Sequence, residues 1–262
     1  MIEKLTQESY GMVMEYLKKK PAINLFMIGD LENFGFDQDF QEFWGDFTED
    51  GILRGVLLRY KESFIPYSEG DHDVKGFADI IKRSKNTFLF SGSEEVTSRY
   101  EPFLENRLGK KQQTYFCECT EESFFSHDDG KISIRSADWE KIDNVTELLG
   151  RIEEFPRKDN AFEDNRHRIE TGTGRTYYIE EDGQPVSSAS TTAENTCSAM
   201  VMAVCTDKHA RGKGYASRIV SRLVQDLLAE GKTSCLFYDN PVAGKIYKEI
   251  GFRDIGCWAM YR

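Results

Sequence analysis

Arg211-Gly212-Lys213-Gly214-Tyr215-Ala216 sets two glycines and two cations between an apolar, strand-like run (Met200 to Thr206) and an amphipathic stretch (Tyr215 to Glu230). A glycine-rich turn that opens a helix leaves backbone N–H groups unpaired and pointing one way, at the positive end of the helix dipole. That makes an anion site suited to a pyrophosphate. Gly212 and Gly214 permit backbone angles that other residues resist, and they remove the Cβ that would hold a ligand away. Arg211 adds a forked cation at the rim. The spacing is neither G-x-x-x-x-G-K-[ST] nor G-x-G-x-x-G, so a nucleoside-triphosphate loop and a dinucleotide fingerprint are both disfavoured. The plainer reading of the same six residues is a tight turn.

A second group lies downstream, in Asn240-Pro241-Val242-Ala243-Gly244-Lys245-Ile246-Tyr247-Lys248-Glu249-Ile250-Gly251-Phe252. Asn240 before Pro241 is a strong helix N-cap, with proline in the first helical turn. Tyr247 shares an apolar stripe with Val242, Ala243, Ile246 and Ile250, which suits a buried structural phenol. A phenol with a pKa near 10, just above that of a thiol, also suits proton donation to a departing thiolate.

In order, and separated by one helix and the strand Ser234 to Tyr238, the two segments resemble the GNAT superfamily of N-acetyltransferases. Arg-x-x-Gly-x-Ala matches the Q/R-x-x-G-x-G/A signature. The Asn, the Ala three on, the Tyr seven on and the closing Gly-Phe match the second half of the family core. The fuller run V-C-T, R-G-K-G-Y-A-S, N-P, K-I-Y, I-G-F is similar to a two-domain bacterial subgroup. The resemblance implies an acetyl-CoA site. Arg211, Gly212, Lys213, Gly214, Tyr215 and Ala216 would hold the pyrophosphate. The backbone of Val204, Cys205 and Thr206 would pair with the pantetheine arm, and Asn240 would touch the same arm. It also implies Tyr247 as the acid that protonates the thiolate. The family often places its base, a glutamate, on the strand before the loop, but Ser198 to Val204 has no carboxylate. Glu194, just before that strand, is the candidate base, with Glu153 and Glu154 as alternatives.

The elements that would position these residues follow from periodicity. The second half reads as strand Ile132 to Arg135, helices Trp139 to Phe155 (capped by Asp138) and Ala161 to Thr171, then hairpin strands Arg175 to Glu181 and Pro185 to Thr192 turning at Asp182-Gly183. Strand Met200 to Thr206 comes next. The helix Tyr215 to Glu230 carries Ile219, Val220, Leu223, Val224 and Leu227 on one stripe and stops at Gly231. Strand Ser234 to Tyr238, helix Pro241 to Ile250 and strand Ile255 to Tyr261 complete the unit. The first half gives a blurred version of this order. Its helices are Gln7 to Lys19, Val74 to Ser84 and Val96 to Leu108. Its strands are Glu42 to Thr48, Gly51 to Tyr60, Thr87 to Phe90 and Thr114 to Cys119, with an unassigned segment Asn24 to Leu31. Where its phosphate loop would lie, Ser91-Gly92-Ser93-Glu94-Glu95 offers two carboxylates that repel a pyrophosphate.

The expected fold is therefore α/β with a mixed sheet, in two tandem GNAT-like domains. Residues 1–125 form a degenerate N-terminal domain and 131–262 a catalytic one. Fourteen of the 18 phenylalanines precede residue 132, which marks the same composition shift. A chain of 262 residues suits two compact units.

The net charge of −11 argues against nucleic acid as a partner. No apolar run approaches the roughly 20 residues of a membrane span. Met1-Ile2-Glu3-Lys4-Leu5-Thr6 has no secretory pattern, so the expected location is the cytoplasm, with the six cysteines reduced. Four scattered histidines and the lack of any C-x-x-C give no metal site. The expected partners are acetyl-CoA and a small-molecule or peptide amine. The rival readings are an acyl-CoA sensor without turnover and, further off, an aminoacyl-tRNA-using ligase with twin GNAT-like domains.

Overall fold

The computed structural model describes residues 1–155 and 159–262. In chain order the elements begin β1 (Ile2–Lys4), α1 (Tyr10–Leu17), α2 (Leu25–Phe34), β2 (Gln41–Phe47), β3 (Leu53–Tyr60) and β4 (Ser63–Ser68). Then come α3 (Val74–Lys82), β5 (Leu89–Ser93), α4 (Glu94–Thr97), α5 (Glu101–Leu104) and β6 (Lys111–Cys119). The chain continues through β7 (Arg135–Ser136), α6 (Ile142–Arg151), α7 (Ala161–Thr171), β8 (Thr176–Glu181), β9 (Gln184–Thr192) and β10 (Ser198–Thr206). It ends with α8 (Tyr215–Ala229), β11 (Thr233–Tyr238), α9 (Pro241–Ile250) and β12 (Arg253–Tyr261).

These elements form two compact units, Met1–Phe116 with Asp254–Arg262, and Cys117–Arg253. The division differs from the boundary expected between residues 125 and 131. The chain's last strand belongs to the first unit, where Trp258 to Tyr261 pair antiparallel with Ser93 to Phe90. The end of β6 belongs to the second, where Cys117 and Cys119 enter the main apolar core and the Cys117 thiol donates to the Leu236 carbonyl at 3.6 Å. Each unit thus takes one strand from the far side of the chain. Cutting between residues 125 and 131 would split both.

In the first unit, β1 to β4 form an antiparallel run, and β4 pairs in parallel with β5 only at Ser63↔Leu89 and Phe64↔Phe90. Strand β4 was not among the expected strands, and its Pro66 is a residue disfavoured in a strand interior. It lies past the last β4–β5 pair, where a missing N–H leaves no gap in that ladder. The helix expected over Val96 to Leu108 is broken into two single turns around a 3-10 turn at Ser98–Tyr100, with Pro102 opening the second.

The missed strand also relocates the loop that corresponds to the glycine turn. It is not Ser91 to Glu95, which form the end of β5 and the start of α4. It is Glu69-Gly70-Asp71-His72-Asp73, between β4 and α3. There Asp73 accepts the Gly76 N–H at 2.8 Å and Asp46 accepts the Asp73 N–H at 2.7 Å, so protein carboxylates already occupy the start of α3.

One buried acid makes a pH prediction. Asp30 on α2 is pushed up to about 7 by burial. Unfolded, it ionises near 3.8, so between those values the folded state holds the extra proton. Stability therefore declines as pH rises from about 4 to 7 and stays at the lower level above. One pKa unit is worth about 1.4 kcal/mol, so Asp30→Asn should stabilise the chain by a few kcal/mol at pH 8 and give no gain at pH 4. Melting curves at the two pH values check this.

The second unit orders its strands β11-β10-β9-β8-β7, with Cys117–Cys119 beside β11. The hairpin turns at Asp182 and Gly183, both at positive φ (51° and 77°), as the Asp-Gly pair requires. Helix α8 buries Ile219, Val220, Leu223, Val224 and Leu227 completely. Each such side chain is worth roughly 1.5–3 kcal/mol, so packing against the sheet holds this helix more than propensity does. Gly231, at φ 75°, follows its end. Two expectations were too long: the first strand is only Arg135–Ser136, and α6 spans Ile142–Arg151 rather than Trp139 to Phe155. Asp138 instead accepts the Glu140 and Lys141 N–H groups, closing the turn before α6. Among the described residues no helix is long and apolar enough to cross a membrane. The six cysteines are free, and among the described residues no cluster of His, Cys, Asp and Glu suits a metal.

Candidate functional site

Strands β10 and β11 run parallel and pair only at Ser198↔Thr233, Ala199↔Ser234 and Met200↔Cys235. Beyond Met200 they part, although β10 continues to Thr206 and β11 to Tyr238. The separation is reinforced from the other side of β10. Between Met202↔Ser190 and Cys205↔Ser188 the strand carries one residue more than β9. Ala203 in that bulge sits at φ 52°, a left-handed angle that costs an alanine roughly 1–2 kcal/mol. Bulges bend and twist a strand, and strained residues gather where geometry serves a ligand. The result is a strand edge with backbone donors and acceptors facing a gap.

The gap opens into a cleft of about 710 Å³, within the size of small-molecule sites. It passes through the sheet. Val204 packs with the α8 core, while Cys205 packs with Leu148 of α6 and with Ile152 just past its end. Ile152, Glu154 and Phe155, after α6, form one wall; Val242, Ala243, Ile246 and Tyr247 of α9 form another.

The glycine turn closes one end. Gly212 and Gly214 stand at φ 81° and 74°, and a Cβ on Gly212 would meet nothing of the protein. Gly214 is the N-cap of α8 and no side chain caps this helix, unlike α3 and α9. Its first N–H groups are therefore left for an anion.

The three cations nearest the loop already carry counter-ions. Arg211 bonds the Thr206 carbonyl at 3.1 Å and Glu154 at 3.1 Å. Lys213 pairs with Glu181 at 2.7 Å, and Tyr215 also donates to Glu181. Arg218 pairs with Asp129 and holds that carboxyl down at about 2.

Of the expected site residues, Val204, Cys205, Thr206, Arg211, Gly212, Gly214, Tyr215, Ala216, Asn240 and Tyr247 all line the cleft. Lys213 does not; Glu181 draws it aside. Asn240 both lines the cleft and caps α9, its side chain accepting the Val242 N–H at 2.9 Å. Tyr247 is nearly buried, with its ring against Tyr238 and Phe252 at centroid distances of 6.1 and 5.9 Å. Its hydroxyl has no hydrogen-bond partner among the described residues, and burial, more than the nearby Cys117, pushes it up to about 12.

Glu194 is a correction. It is absent from the cleft lining and lies before β10, roughly 20 Å of strand short of Val204 at about 3.3 Å per residue. Its carboxylate is buried between Arg175 at 2.7 Å and Lys232 at 3.3 Å and accepts the Thr191 hydroxyl. Burial alone would raise its pKa, but the bonds from Arg175 and Thr191 and the two cations leave it lowered. A carboxylate so held is a poor base and a good anchor for the β9–β10 turn. Glu194→Gln should therefore lower stability on the order of 2 kcal/mol, less than the ~3–5 of a fully broken buried pair because Arg175 and Lys232 both keep Glu230. Turnover should stay within about twofold, as a base substitution would not allow. A thermal melt beside a rate assay decides it.

Sequence reasoning named Glu154 only as an alternative base; the structure makes it cleft wall and counter-ion to Arg211. It missed Tyr238 and Phe237, which line the cleft from β11. The signal was Gly244: a Cβ there would lie 2.4 Å from the Tyr238 ring, so α9 can seat against that ring only with glycine at this position.

A family model described as GNAT acetyltransferase matches residues 57–261. No curated protein matches the chain in sequence. Among solved structures the fold is similar to a GCN5-related N-acetyltransferase from Kribbella flavida, at 15% identity and TM-score 0.62 over 79% of this chain and 86% of that one. It is similar over its whole length to a GNAT-family acetyltransferase from Colwellia psychrerythraea, at 12% identity and TM-score 0.58 over 98% of that chain. A tandem GNAT protein from the clavulanic acid biosynthesis pathway aligns with all of this chain and 97% of its own, at 12% identity and TM-score 0.59. At such identities these likenesses carry the fold alone.

Proposed function

The chain belongs to the GNAT acetyltransferase family, and on that premise we propose that its second unit transfers an acetyl group from acetyl-CoA to a primary amine. One observation carries the reading: an unpaired edge of β10 runs from the glycine turn into a cleft that also holds the Tyr247 hydroxyl. A pyrophosphate would seat on the N–H groups from Gly212 to Ala216, at the start of an uncapped helix. The backbone of Val204, Cys205 and Thr206 would bond the amides of the pantetheine arm, with Asn240 beside it. Held there, the thioester carbonyl meets a neutral amine in near-attack geometry, and positioning supplies much of the acceleration. As the C–S bond breaks, Tyr247 would give its proton to the thiolate. Its raised pKa keeps it protonated throughout the physiological range.

The first unit has no such site in this reading. Its corresponding loop holds Glu69, Asp71 and Asp73, and Asp73 already caps α3. Like charges would repel a pyrophosphate there.

Titration calorimetry with acetyl-CoA, followed by free-thiol release over a panel of amines, tests the proposal. Binding at one site per chain with thiol release for at least one amine is expected. Binding without release for any amine would instead mark an acyl-CoA sensor, and no binding would end both readings.

A further inference from the structure

A charge drawn out of water is costly unless an opposite charge faces it. Arg168 on α7 lacks one: it is half-buried and forms no ion pair among the described residues. Asp164, one turn before it, acts on it only from beyond ion-pair range, and desolvation pulls the Arg168 pKa down. A guanidinium nonetheless stays charged at any working pH. What holds it is a neutral chain. Arg168 donates to Asn165 Oδ1, Asn165 donates to the Thr146 hydroxyl at 2.7 Å, and Thr146 donates to the Ile142 carbonyl at 2.8 Å. Asn165 and Thr146 are both buried. A second N–H of Arg168 reaches the Met202 sulfur, a weak acceptor, at 3.6 Å. Two of the five N–H donors of an arginine are thus used, and the other three have no partner among the described residues.

Met202 fixes where this cation stands. Strand β10 has β9 on one side and β11 on the other, yet Met202, Ala203 and Val204 are only half-buried. Side chains alternate along a strand. Ala199 and Val201 are buried in the core under α8, so Met202 points to the other face, where Arg168 meets it. Met202 lies between Met200, the last residue paired to β11, and Val204, the first residue of β10 to line the cleft. From Met202 to Val204 is two residues of strand, under ~7 Å. A pantetheine arm running from the glycine turn past Thr206 and Cys205 to Val204 would put the thioester at this deep end. The core under α8 closes one face there, so the acceptor has to arrive on the face that carries Arg168.

We propose that the acceptor is a free amino acid, a primary amine that also carries a carboxylate, and that Arg168 binds this carboxylate and sets acceptor specificity. The proposal rests on the acetyl-transfer reading. The parallel N–H groups of a guanidinium match the two oxygens of a carboxylate. Arg168 stands there as a single cation, since its α7 neighbour Arg166 is paired with Asp143. With one cation and a net charge of −11, the place suits a monoanion better than a phosphate dianion. With the carboxylate on Arg168, an amino group a few bonds away falls toward Val204. The carboxylates that line the cleft leave the cation uncancelled. Glu154 pairs with Arg211, Asp239 follows the end of β11, and neither forms an ion pair with Arg168.

The test measures kcat/KM by free-thiol release for the common free amino acids and for their carboxamides, in the full chain and in Arg168→Gln. At least one amino acid should be preferred over its amide by ~10- to 100-fold, the worth of a hydrogen bond to a charged group. Arg168→Gln should bring that ratio to about 1, mainly through the KM of the acid, with acetyl-CoA affinity unchanged. Arg168→Lys, which keeps the charge and loses the fork, should retain part of the ratio. A merely structural arginine would slow acid and amide by the same factor and leave the ratio standing. That result, or a wild type that treats acid and amide alike or acetylates only amines without a carboxylate, overturns the role of Arg168 and leaves the transferase reading intact. A wild-type chain that acetylates no amine overturns both. If Arg168→Gln fails to fold, Arg168→Lys takes its place, and a ratio it leaves undiminished is equally decisive against the proposal.

Discussion

Replacing Gly214 with glutamate is expected to weaken acetyl-CoA binding at least ~100-fold while leaving the far-UV spectrum of the chain unchanged. The new carboxylate would stand at the N-terminus of α8, where the pyrophosphate is to sit, and two like charges in contact oppose each other by ~1 kcal/mol in water and ~4 near a protein surface. The helix N-terminus would also lose its vacancy, because the glutamate would satisfy the N–H groups itself. Sterics within the protein do not forbid the change: a Cβ at Gly214 meets only the Arg218 side chain, at 3.9 Å. Backbone strain does contribute, since Gly214 sits at φ 74° and a side chain there costs roughly 1–2 kcal/mol. Gly214→Ala carries that strain without the charge, so it should bind only modestly worse. Calorimetry on both variants separates the terms. Natural affinity in the glutamate variant would reduce the turn to a turn.

Tyr247→Phe should slow transfer by ~10²–10⁴-fold, the usual worth of a general acid, with little effect on acetyl-CoA affinity or on folding. The ring contacts with Tyr238 and Phe252 survive the change, and the hydroxyl removed has no partner to orphan among the described residues. Because burial holds the phenol at about 12, any fall in rate on the alkaline side below pH 10 should persist unaltered in the phenylalanine variant. Single-turnover kinetics with saturating amine isolates the chemical step from product release. An equally fast chemical step in the variant would remove Tyr247 from the mechanism and leave it as a packing residue.

Much of the lining of this cleft was readable without coordinates, and for a local reason. The glycine turn, α8 and α9 are written in contiguous residues. Glycines stand at positive φ, an i, i+3, i+4 stripe buries Ile219 through Leu227, and Asn240 caps the following helix. Helical periodicity and capping act over a few residues, so a short window holds the whole signal. Ten of the twelve expected site residues accordingly line one cleft.

What the tertiary structure decided is non-local. Sheet partners are chosen by pairing between distant segments, and no window of sequence states the choice. Nothing in Ile255 to Tyr261 says that this strand completes the first unit, or in Thr114 to Cys119 that its end completes the second. The bulge at Ala203 and the parting of β10 from β11 beyond Met200 are likewise invisible in an ordinary apolar run. The acid–base partner failed for the same reason. Glu194 is close to β10 in the chain but is drawn off by Arg175 and Lys232. Proximity along the chain pointed to it, and ion pairs between distant segments took it away.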